Sequence, residues 1–208
     1  RQCSCFYFGD HLNVEFVNNT IQNHNRPDSY ENLLIGYMPN KIENCTFQYN
    51  NVNGQVGGGS GVEFSGLNVQ IYNCRYKYNH IYTNQNKGIS TMGVGGAIQI
   101  GYNSKEITVE IDQCTFENNY ADYEGGALAI QCKEADSHDS TFINNAAAQE
   151  AFDSENANFK MGGAIYFNSG TTAGTYRLYN CVFRQNSADS NGHALFIAGK
   201  STEVYING

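Results

Sequence analysis

Apolar residues two apart recur along the chain as Val69 and Ile71, Val109 and Ile111, and Tyr176 and Leu178, each pair separated and bounded by mostly polar positions. A second set follows glycine: Val62 and Phe64, Ile98 and Ile100, Leu128 and Ile130, Ile165 and Phe167, Leu195 and Ile197. A period of two turns one side of an extended segment to a core and the other to solvent, so both sets predict short half-buried strands. A third strand is predicted through an aromatic column, Phe16, Phe47, Tyr76, Phe116, Phe142 and Phe183. Three residues after each aromatic stands an asparagine: Asn19, Asn50, Asn79, Asn119, Asn145 and Asn186. Two residues before it the column reads Val14, Cys45, Cys74, Cys114, Ser140 and Cys181, preceded by Asn13, Asn44, Asn73, Gln113, Asp139 and Asn180.

Rows of roughly 25 to 41 residues with three short strands each match solenoid repeats. Leu33 and Ile35 are aligned as the first row's glycine-following strand. Strands too short for hairpins of their own predict an all-β parallel β-helix of about six coils, three strands per coil, over residues 1–208 as one domain. At about 4.8 Å per coil the rod would be on the order of 29 Å long. The aromatic column then becomes an internal stack and the asparagine column a hydrogen-bonded ladder. The pairs Gly95-Gly96, Gly125-Gly126 and Gly162-Gly163 suit sharp turns where a Cβ would clash. A β-sandwich would need hairpin signals every 8–12 residues, which this spacing does not supply.

Composition narrows the picture. The net charge is −8, and no basic stripe offers itself to phosphates, so nucleic acid is not an expected partner. No apolar run approaches the roughly 18 residues that span a bilayer, so no direct membrane insertion is expected. The chain opens on Arg1 without a signal-like apolar stretch and is expected to be a segment of a longer protein. Seven cysteines fall mostly in the repeat register, and no C-x-x-C pair suggests zinc. The cysteine column is expected to be small buried hydrophobes, and no metal or cofactor is expected.

The alternation of Gly-Gly-Ala-aliphatic, intact at Gly95–Ile98, Gly125–Leu128 and Gly162–Ile165, with F-x-x-N resembles the repeats of the polymorphic outer membrane protein family. Related repeats occur in eukaryotic right-handed β-helix proteins of the pectin-lyase-like kind. Gly59-Ser60-Gly61 and Gly192-His193-Ala194 depart from the motif, and nothing here reads as the membrane barrel of the bacterial proteins. The resemblance implies a right-handed β-helix serving as an adhesive or structural rod, and no enzyme.

Three longer stretches, Thr20–Asn32, Ile81–Val94 and Ala146–Met161, leave from one corner of the coil and are read as inserts. Loops on one solenoid edge often form its recognition face, so Tyr78, His80, Tyr82, Asn84, Phe152 and Asp153 are the candidate binding residues. Tyr78, His80 and Tyr82 give an aromatic edge suited to sugar or protein. Enzyme chemistry needs facing carboxylates or an acid cluster beside a base. The acids are scattered; Asp122 and Glu124 share a turn, and Asp136, His138 and Asp139 are read as a solvated turn without an arginine on a strand face. Asn18-Asn19-Thr20 and Asn44-Cys45-Thr46 match the N-glycosylation pattern; Asn18 is the freer, because Asn44 lies in a ladder column.

These readings lead to a non-catalytic module of an extracellular or cell-surface protein. It would serve adhesion or assembly with other protein chains, end to end or laterally, with carbohydrate as a further partner class. The alternatives are a carbohydrate-active lyase or hydrolase on the same scaffold and a structural subunit of a large assembly. Fold alone decides none of them.

Overall fold

The structure, a computed structural model, describes residues 6–8, 14–23, 25–30, 34–36, 40–53, 62–64, 68–82, 93–101, 107–148, 160–170, 173–199 and 203–208. Among them it is all-β, with every named strand in one of four parallel sheets. That arrangement is consistent with a parallel β-helix or solenoid. One full row runs Asn68–Tyr72, Arg75–Lys77, His80–Tyr82 and Ile98–Ile100, and each strand pairs with its equivalent in the next row. We call these the long-strand, aromatic, short-strand and glycine-following sheets.

Each row therefore carries four strands where three were expected. The additional strand, following the ladder asparagine, has only two residues at Tyr120–Ala121, Ala146–Ala147 and Ser187–Ala188. One buried residue per strand, such as Ile81 or Ala121, leaves no alternation to read. The first row also shifts. Phe16 pairs with Ile42 in the long-strand sheet, and Ile21, not Phe16, pairs with Phe47. Asn19 thus falls in the cysteine column, where its N–H donates to Cys45 Sγ at 3.5 Å. An aliphatic residue fills the aromatic position there, so a motif written in residue types slides onto the preceding strand. Leu34, rather than Leu33, takes the Val62 position.

Side chains stack inside the coil at the spacing of the strands. Phe47, Tyr76, Phe116, Phe142 and Phe183 form one column with centroids 4.9 to 5.0 Å apart and planes within 7°. Beside it runs the asparagine ladder. Asn119 Oδ1 accepts from both the N–H and Nδ2 of Asn79, at 3.2 and 3.0 Å. Asn119 Nδ2 donates to Tyr76 O at 2.9 Å and to Asn145 Oδ1 at 3.0 Å. Every polar site of this buried amide is thereby used, the condition for burying it at all.

The cysteine column does more than fill space. Cys74 N–H donates to Cys114 Sγ at 3.4 Å, and the Cys74 thiol donates to Tyr72 O at 3.1 Å. Ser140 repeats both bonds with its hydroxyl. The five described cysteines are free thiols. Hydrogen bonding to the neighbouring sulfur, and after it burial, push Cys45 and Cys74 up, the latter to about 12, which disfavours the reactive thiolate.

Two corners turn in the left-handed region. One holds Asn18, Asn44, Asn73, Gln113, Asp139 and Asn180; the other holds Asn23, Tyr49, Tyr78, Asn118, Asn144 and Gln185. Asparagine suits such positions because its short polar side chain tolerates positive φ. At Gly126 the requirement is one of space: a Cβ would sit 2.1 Å from Gly163 O in the next row.

Replacing Asn119 by Ala strands several buried donors and acceptors at once and is expected to cost about 3–5 kcal/mol in urea unfolding. Cys114→Ser keeps the bonds that Ser140 already makes and should change stability by less than about 1 kcal/mol. The Tyr76 hydroxyl is buried with no hydrogen-bond partner, so Tyr76→Phe should stabilise by about 1 kcal/mol.

Candidate functional site

Outward-facing residues divide by sheet. On the long-strand sheet, Asp136 and His138 stand on the strand Glu134–His138, in register with Glu110 and Asp112 on one side and Arg177 and Tyr179 on the other. The solvated turn expected at Asp136 and His138 is therefore a strand; Asp139 alone occupies the turn that follows. The alternation was hidden because its inward residues are Ala135 and Ser137. An arginine does lie on this face. Arg177 reaches both Glu134 and Asp136, the latter at 3.0 Å, and lies 5.9 Å from the Tyr205 ring. Tyr72 donates to Glu110 at 2.5 Å, and His138 stacks on Tyr179 at 4.9 Å.

The corner between the aromatic and short-strand sheets carries Tyr49 and Tyr78. They are 49% and 44% exposed, both at positive φ, and their rings stack 5.0 Å apart with planes 2° from parallel. Their neighbours are polar: Gln48 donates to Gln22 at 2.7 Å, and Lys77 pairs with Glu117 at 2.5 Å. Tyr78 was an expected binding residue. Tyr49 was missed, although both tyrosines stand two places after their row's aromatic and share a column.

His80 belongs to a different surface. It lies on the short-strand sheet, edge-on to Tyr120 at 4.5 Å, with Nε2 3.6 Å from Asp122 Oδ1. Tyr82 is described through its backbone alone, and Asn84, Phe152 and Asp153 lie outside the described residues. The three stretches read as inserts begin as strands: Thr20–Gln22 and Asn25–Tyr30, His80–Tyr82, and Ala146–Ala147.

Two residues past Asp122, Glu124 hydrogen-bonds the Tyr166 hydroxyl of the next row. Burial raises the Glu124 carboxyl from 4.5 to about 7, partly countered by that bond. Burial likewise pushes Tyr166 up. No sequence signal joined Glu124 to Tyr166, because the glycine columns align Tyr166 with Ala129 but do not say which way either side chain turns. The two glycosylation candidates turn out to be equivalent. Asn18 and Asn44 occupy one turn column and both are exposed, and Asn44 Oδ1 accepts from Asn73 Nδ2 at 2.7 Å on the outside of the coil. Among the described residues no His, Cys, Asp and Glu group could hold a metal ion, and no helix is long and apolar enough to cross a membrane.

The folded chain holds a proton on Glu124 that the unfolded chain gives up near pH 4.5. This contribution to stability is complete below pH 4.5 and is lost as pH rises through about 7. The shift corresponds to about 3 kcal/mol. Glu124→Gln is expected to flatten the fall in unfolding free energy between pH 5 and 8 and to be the more stable chain at pH 8. An unchanged pH profile would show that Glu124 titrates normally.

Comparison with known proteins adds no identity: no family model, no curated protein and no solved structure matches the chain.

Proposed function

We propose that the chain is a right-handed β-helix rod of about six coils that acts as a non-catalytic module of a cell-surface or extracellular protein. Its work is adhesion or structural assembly, through contact with other protein chains. The supporting observation is the Tyr49–Tyr78 pair. Left-handed backbone costs a bulky residue on the order of 1 kcal/mol, and asparagine occupies this corner at Asn23, Asn118 and Asn144. Keeping two exposed tyrosines in strained positions points to a role outside folding. Exposed tyrosine beside asparagine is also characteristic of adaptable protein-binding surfaces. Stacking covers one face of each ring and leaves the hydroxyl edges exposed for hydrogen-bonded contact with a protein partner.

A second reading, a carbohydrate-active lyase or hydrolase, draws on the strand face that unites Glu134, Asp136, His138 and Arg177. It is the weaker reading because both carboxylates are already tied up in ion pairs with Arg177. Depolymerisation of acidic polysaccharides by the chain, abolished in Asp136→Asn, would establish it.

The adhesive reading is tested with the double variant Tyr49→Asn, Tyr78→Asn on beads presented to cells. Relief of backbone strain offsets the lost ring stack, so stability should stay within about 1 kcal/mol of the parent. Adhesion should fall at least about tenfold, as for loss of an aromatic anchor. Undiminished adhesion would remove the tyrosine pair from the mechanism, and a parent chain that binds no cells would remove adhesion itself.

A further inference from the structure

The two acceptor patterns for N-linked sugar, Asn18-Asn19-Thr20 and Asn44-Cys45-Thr46, sit at one turn column in adjacent rows, with Thr20 and Thr46 paired in register. The repeat accounts for each residue type separately. Asparagine holds the turn at positive φ, and threonine opens the aromatic strand, as it does again at Thr115 and Thr141. Elsewhere in the column the two do not coincide. Asn73 and Asn180 are followed by Arg75 and Val182, while Gln113 and Asp139 precede Thr115 and Thr141.

The repeat does not account for how the amide nitrogens are used. Asn73 Nδ2 donates to Asn44 Oδ1 at 2.7 Å, and Asn180 Nδ2 donates to Asp139 Oδ1 at 3.1 Å. Each spends its nitrogen on the preceding row. By that rule Asn44 Nδ2 would donate to Asn18 Oδ1, yet among the described residues it has no partner, and neither has Asn18 Nδ2. The asparagines with an unspent nitrogen are therefore the two with threonine two places on. Both side chains are exposed. Both backbones are held, Asn18 N–H donating to Glu43 O at 3.0 Å and Asn44 N–H to Tyr72 O at 3.1 Å. A substituent on either Nδ2 leaves these bonds intact, and Asn44 Oδ1 remains free to accept from Asn73.

We propose that this corner is a modification site, carrying an N-linked glycan on Asn18 or Asn44. The inference rests on the reading of the chain as extracellular or cell-surface, because the donor is a lipid-diphosphate-linked oligosaccharide of the secretory route. In the transfer, Nδ2 bonds to the anomeric carbon of the sugar as that carbon's bond to the phosphate oxygen breaks. Lipid diphosphate leaves, and the nitrogen gives up one proton. The threonine hydroxyl is the group by which the transferase selects the asparagine. It stands on the outer side of the coil, because Thr46 precedes the inward Phe47.

The test uses the full chain secreted from a eukaryotic cell line behind a cleavable leader. Intact mass spectrometry is expected to show a glycan that peptide N-glycosidase removes. Removal in heavy-oxygen water should leave a labelled aspartate at position 18 or 44. The glycan should be lost in the double variant Thr20→Val, Thr46→Val and kept in Thr20→Ser, Thr46→Ser. Valine already stands in this column at Val182, so the first variant keeps the fold. Trimming the glycan should not move the urea midpoint, since the modified nitrogen makes no bond in the coil. A secreted wild-type chain without glycan overturns the proposal, as does a glycan that persists in the double valine variant. Wild-type mapping decides even if that variant is not secreted. The leader imposes the secretory route, so a bare chain counts against the site and not against the surface reading. The Tyr49→Asn, Tyr78→Asn chain should carry the same glycan, which separates this site from the adhesive corner.

Discussion

A buried carboxamide can exist in this core only because the next row supplies an identical one. Asn119 makes four side-chain hydrogen bonds, two accepted from Asn79 and two donated, to Tyr76 O and Asn145 Oδ1. Each rung satisfies the one before it, so the ladder fixes the distance between rows and their register together. The ring stack at 4.9 to 5.0 Å and the thiol bonds of the cysteine column take up the same spacing. A slip of one residue would turn the asparagines outward and leave their backbone partners unpaired, so register is strongly specified.

With the interior held this way, the outside of each row is free to vary, and the sheets differ in what they present. The long-strand sheet carries ionisable groups engaged with one another, as in Arg177 with Glu134 and Asp136. One corner carries strained, exposed tyrosines, and the glycine-following sheet buries Gln99 on its outer side. A rigid scaffold with differentiated edges suits a protein whose role depends on presenting groups at fixed spacings. The cost of holding Tyr49 and Tyr78 at positive φ is offset by the packed and hydrogen-bonded interior.

Much of the interior was legible along the chain. The aromatic, asparagine and cysteine columns of the rows from Cys45 onward are the columns that the structure stacks, because a ladder needs the same residue type at each level. Legibility failed where the type changed but the job did not. Ile21 stands for an aromatic, Asn19 for a cysteine, and Ala135 with Ser137 for an aliphatic pair. It also failed for the two-residue strands, where a period of two has no room to appear.

The amino-acid sequence by itself determined the repeating strand pattern, the inward stacks and the positions that need glycine or asparagine. These are local or in-register demands, repeated from row to row. Only the tertiary structure decided which outward residues meet. The Glu124–Tyr166 bond depends on which way the side chains turn, and the equivalence of Asn18 and Asn44 on the shifted register of the first row, and neither follows from spacing. The isolation of Gln99 Oε1 depends on what covers a sheet, and covering is a property of the folded surface that no periodicity encodes.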